Sequence, residues 1–83
     1  MARKSKKIVF EEPIVVGGKE IKEVTMRVPK GKDSFMVATI QNPVERDYVL
    51  ISNLCDLNAT VEELQNADLK EMLQLQVALK SFL

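Results

Sequence analysis

Apolar positions along this chain change their period once. From Lys7 to Val28, "KIVFEEPIVVGGKEIKEVTMRV", two β-branched runs flank Gly17-Gly18. Alternation on both sides of a Gly-Gly pair predicts a β-hairpin closed by a two-residue primed turn. Pairing across that turn sets Ile14 opposite Ile21. Continued without interruption, it wastes Phe10 on Thr25. One extra residue at Lys22-Glu23 instead sets Glu12 against Val24, Phe10 against Met26 and Ile8 against Val28. This predicts a β-bulge there, opposite Pro13, which has no N–H to lose. The expected buried face is Ile8, Phe10, Ile14, Ile21, Val24, Met26 and Val28. A two-stranded ribbon is marginal alone, so that face requires a cover of helices.

Helical spacing takes over after "PKGKD". Asp33 is positioned to cap a short helix through about Gln41. Asn42-Pro43-Val44-Glu45 places a cap, a proline at the first helical position and a glutamate at the third. The helix it opens runs to about Leu54, with Val44, Tyr48, Ile51 and Cys55 on one face. Thr60-Val61-Glu62-Glu63 and Asp68-Leu69-Lys70-Glu71 read as two more capping boxes. They open a short helix to about Asn66 and a final helix to the end of the chain. The fold class expected is α+β: an N-terminal two-stranded antiparallel hairpin packed on a C-terminal bundle of three to four short helices. Residues 1–7 are expected to be a basic disordered tail. Residues 8–83 form one domain, hairpin over 8–28 and helices over 33–83.

The last helix carries more apolar surface than one core needs. Leu69, Met72, Leu73, Leu75, Val77, Ala78, Leu79, Phe82 and Leu83 spread over roughly 260° of the cylinder. A helix on a single core usually shows a stripe a little over 100° wide. The hairpin and the preceding helix can cover about Leu69, Leu73, Leu79 and Leu83. The surplus at Met72, Leu75, Ala78 and Phe82 is assigned to a partner, with Leu79 and Leu83 on the margin between the two sets. The candidate partner-binding residues are therefore Met72, Leu75, Ala78, Leu79, Phe82 and Leu83. Core, homo-oligomer seam and client surface all remain open for them.

Composition narrows the chemistry. At 83 residues a lone core is marginal without staples, metal or association. One cysteine, Cys55, permits no internal disulfide, and its apolar neighbours Leu50, Ile51, Leu54 and Leu57 suit a buried structural thiol. With no histidine, a zinc site is not expected. The acidic residues stand mostly at helix starts or on the hairpin, and the glycines form no phosphate loop. No catalytic residue, metal or cofactor is expected. Net charge is zero but unevenly spread. Residues 1–42 hold nine Lys/Arg against five Asp/Glu, and residues 43–83 hold three against seven. The basic excess at Arg3, Lys4, Lys6 and Lys7 could serve nucleic acid, but no aromatic residue interleaves with it as a stacking surface requires. Neither a signal segment nor a membrane span is present, so a cytosolic protein is expected.

The order of these elements resembles a known family. "P-I-x-x-G-G-x-x-I-x-x-V-T-M-R-x-P" from Pro13 to Pro29 and "A-D-L-x-x-M-L-x-L-Q-x-A-L-x-S-F-L" from Ala67 to Leu83 are its most specific parts. Over about residues 8–83 the chain is similar to the small tail assembly chaperones of contractile-tailed phages and prophages, the Mu-like and P2-like tail proteins. It keeps a shorter segment between Asp33 and Tyr48 than that pattern. The resemblance implies a non-enzymatic protein of the host cytoplasm that binds the tape measure protein. It would keep that protein's long helices soluble before the tail tube polymerises, by hydrophobic helix-in-groove contacts. Two other readings stand beside it: a structural tail or adaptor subunit retained in the virion, and a nucleic-acid module using the basic arm.

Overall fold

A computed structural model describes residues 4–82. Arg3 and Leu83, each part of an expectation above, lie outside the described residues. The order is β1 (Lys6–Val16), β2 (Lys19–Met26), α1 (Gly31–Met36), α2 (Pro43–Leu54), α3 (Val61–Gln65) and α4 (Leu69–Ser81). This is the expected α+β architecture, a two-stranded antiparallel hairpin followed by four helices. Lys6 and Lys7 belong to β1, inside the segment expected to be a tail.

Gly17 and Gly18 both hold positive φ, 60° and 78°, the conformation a type I′ turn demands of its two central residues. Ile14 faces Ile21 as expected, but the register beyond it is corrected. Val9 pairs with Glu23, Ile8 with Val24 and Lys6 with Met26. Phe10 to Pro13 therefore lie opposite Lys22 alone, so the surplus residues sit on β1 rather than β2. Pro13 cannot donate to the ladder, and Glu11 and Glu12 reach water from the bulged stretch. Lys22 and Glu23 are both exposed, so alternation does break on β2 where expected. That break keeps Ile8, Phe10, Ile14, Val24 and Met26 on the buried side, joined by Val16. Ile21 and Val28 pack partly buried against the same cluster.

Helix α1 is shorter than expected and starts earlier. Asp33 is its third residue, not its cap, and its carboxylate turns back to accept the Lys30 N–H at 2.7 Å. The helix stops at Met36, and the chain goes on through tight turns in which the Ala38 N–H donates to the Phe35 carbonyl and the Ile40 N–H to that of Val37. Two N–H groups of Arg46 donate to the Ile40 carbonyl at 3.0 and 2.6 Å, closing that turn. Asn42 caps α2 by accepting from Val44 and Glu45. A Schellman turn ends α2: Leu57 N–H donates to Ser52 and Asp56 N–H to Asn53, with Asp56 left-handed at φ 53°. Thr60 and Glu63 form their capping box reciprocally. Asp68 makes no side-chain capping bond at α4, and Glu71 is buried in the monomer instead of reaching back, so the third box does not form.

One hydrophobic cluster joins the layers: Phe10, Ile14, Val24 and Met26 of the hairpin meet Ile51 and Leu54 of α2, Leu64 of α3 and the inner face of α4. Polar ties also set the first three helices on the hairpin. The Arg27 N–H donates to the Leu54 carbonyl at the end of α2. Gly17 N–H donates to Glu63 at 2.5 Å, fixing the hairpin tip to the start of α3. Arg27 also grips Asp33 through two bonds of 2.9 and 2.7 Å, and Asn53 donates to the same carboxylate.

Candidate functional site

The division of α4 between core and partner face is corrected. Met72, Leu75, Leu79 and Phe82 all belong to the core cluster, with Leu75 fully buried. Ala78 is half-buried and Leu83 lies outside the described residues. The apolar residues that α4 leaves in water are Leu69, Leu73 and Val77, exposed by 68, 49 and 67%. The two rows differ in spacing once burial has separated them. Met72, Leu75, Leu79 and Phe82 follow 3-4-3 steps, the narrow stripe of a helix on one core. Leu69, Leu73 and Val77 follow 4-4 steps, which drift about 40° per step and form a separate row.

That second row borders a groove. Lys6 to Val9 of β1 form one side, and Lys70, Leu73, Gln74, Val77, Ala78 and Ser81 of α4 form the other, enclosing about 580 Å³ open to solvent. Val9 points outward because the bulge leaves it paired with Glu23 on the face away from the core. The groove is crossed at three points. Lys70 pairs with Glu11 at one end, and Lys6 donates to Ser81 at the other. Between them the Gln74 amide donates to the Val9 carbonyl at 3.3 Å, while its Oε1 is buried without a partner. The Lys6 ammonium also stands 5.0 Å from the centre of the Phe82 ring, close enough for a cation–π attraction.

The electrostatics are those of an exposed rim. Hydrogen bonding and then charge from Lys70 lower the Glu11 carboxyl, and Glu11 raises the Lys70 ammonium in return. Lys7 pairs with Glu23 at 3.3 Å, both side chains more than half exposed. Surface pairs of this kind contribute little to stability and open readily.

Burial pushes the Cys55 thiol up to about 12, which keeps it protonated and unreactive. Among the described residues no cluster of His, Cys, Asp or Glu could hold a metal ion. No helix among them is long and apolar enough to cross a membrane. Phe35, Met36 and Val44 are further exposed apolar side chains, and the hollow beside Met36 mixes Val49, Ala59 and Val61 with Ser52, Asn53, Asp56, Asn58 and Thr60.

Fold and groove together make a small α+β domain with an apolar cleft flanked by lysines. The model of the family described as phage tail assembly chaperone proteins, E, or 41 or 14, matches residues 7–83. The chain belongs to the phage tail assembly chaperone family. Neither the curated proteins nor the solved structures give a match.

Proposed function

We propose that this chain binds the tape measure protein in the host cytoplasm and keeps it soluble until the tail tube polymerises, without catalysis or cofactor. Family membership supplies the class of task. The observation that carries the reading is the exposed row Leu69, Leu73 and Val77 beside Val9, which the monomer leaves uncovered. A client rich in amphipathic helices needs such a surface, since a helix docks by laying its apolar stripe into a groove. A homo-oligomer that trades its seam for the client uses the same surface. Met72, Leu75, Leu79 and Phe82 support the groove from beneath, through the core.

Co-expression with the tape measure protein of the same phage or prophage tests this. The expected result is a soluble complex on gel filtration and loss of the tape measure protein to aggregates when this chain is omitted. Unchanged solubility with no complex overturns the reading.

A further inference from the structure

The charge around the groove is one-sided. Its lining holds three lysines, Lys6, Lys7 and Lys70, and no carboxylate. Glu11 and Glu23 each engage one of those lysines through an exposed pair, and the buried Glu71 next to Lys70 in sequence adds a weaker attraction to it. A partner bringing its own carboxylates can replace either at small cost. The apolar side chains between the lysines, Val9, Leu73 and Val77, are all substantially exposed.

Geometry selects a helix over a strand. A strand added to β1 would need the Val9 carbonyl for its ladder, and the Gln74 amide already occupies it. The α4 side of the groove runs from Lys70 to Ser81, about 17 Å at the helical rise. That length seats three turns of a helix lying alongside, which presents apolar anchors at i, i+4 and i+7.

We propose that the β1–α4 groove takes an amphipathic helix whose apolar stripe is flanked by carboxylates, set against Lys6, Lys7 and Lys70. This rests on the reading of the chain as a chaperone for helical segments, and it names the chemistry of the segment bound. The apolar stripe packs on Val9, Leu73 and Val77, and the flanking acids take the lysines from Glu11, Glu23 and Ser81.

Two synthetic helical peptides of about 20 residues, long enough to form the three turns, test the groove directly. They share one Leu/Ala stripe and carry either Glu or Lys on its flanks. With the full isotope-labelled chain, the Glu peptide is expected to shift amide resonances of Val9, Leu73 and Val77. It binds about tenfold or more tightly than the Lys peptide at low salt, and the gap narrows in 0.5 M salt. V77E, at an exposed position, abolishes that binding while its circular dichroism spectrum stays that of the parent. K70E with K6E reverses the preference between the peptides. Equal affinities, no binding, or shifts centred on Phe35 and Met36 overturn the proposal. So does a dimer on gel filtration that V77E dissociates, since a second copy then fills the groove. A tape measure protein held equally by the parent chain and V77E removes the groove assignment but keeps the chaperone reading. Peptides that behave as expected beside a tape measure protein that never binds do the reverse.

Discussion

Asp33 is the polar residue on which the junction between hairpin and helices turns. It is 2% exposed and accepts from Arg27, Lys30 and Asn53. The Arg27 hydrogen bonds outweigh desolvation and hold its carboxyl down to about 2, against an ordinary 3.8. The folded state therefore binds the proton less well than the unfolded chain, and this contribution is complete above about pH 4. It fades as pH falls through the folded value near 2. Asp33→Ala is expected to lower stability by about 1–3 kcal/mol at pH 7, moderated because Arg27 can rehydrate. Urea melts at pH 7 and pH 2 check this: the gap between parent and variant should shrink on acidification. Asp56 presents the opposite case. Its left-handed backbone is a position glycine accepts freely, and its charge opposes the C-terminal end of the α2 dipole. Asp56→Gly should raise stability by about 0.5–1 kcal/mol, seen as a higher midpoint with an unchanged slope.

At the scale of elements, α4 has two apolar rows with different tasks. Leu75 is fully buried and Val77 is 67% exposed, two residues apart. Leu75→Ala should cost about 2–5 kcal/mol through lost burial and a cavity. That approaches the whole stability of a domain this size, about 4–12 kcal/mol. Val77→Ala should change stability by about 0.5 kcal/mol or less. Thermal melts of the two variants separate core from surface without reference to any partner. The helix starts show a related contrast. Thr60 and Glu63 close their box because both stay at the surface, where Glu63 also accepts from Gly17. Asp68 and Glu71 match the same pattern, yet the core row of α4 rotates Glu71 inward and leaves the box unmade. Local propensity proposes the cap, and packing decides whether it forms.

For the molecule as a whole, the hairpin works as a lid for its own helices on one face and as a wall of the groove at the outer side of β1. The bulge from Phe10 to Pro13 makes both possible, since it restores the inward face while leaving Val9 outward beside Leu73 and Val77. A chaperone acting before tube assembly should be missing from finished particles. Mass spectrometry of purified phage should find the tape measure protein and not this chain. Finding it in stoichiometric amount would instead assign it to the retained structural subunits.

Element type, order and most boundaries were legible from local signals: Gly17-Gly18 for the turn, Asn42-Pro43 and Thr60 for helix starts, and period for the strand-to-helix change. Those signals act over a few residues, and local backbone preferences are enough to set them. The family pattern was legible for the same reason, because it is carried by turn and cap residues and by spacing. The register beyond Pro13 and the inward face of α4 were not. Hydrophobic matching admitted a bulge on either strand, and a 260° apolar arc offers no single inward direction. Tertiary packing decided both. Once Met72, Leu75, Leu79 and Phe82 fill the space under the hairpin, Leu69, Leu73 and Val77 are left at the surface, the last two in the wall of the groove.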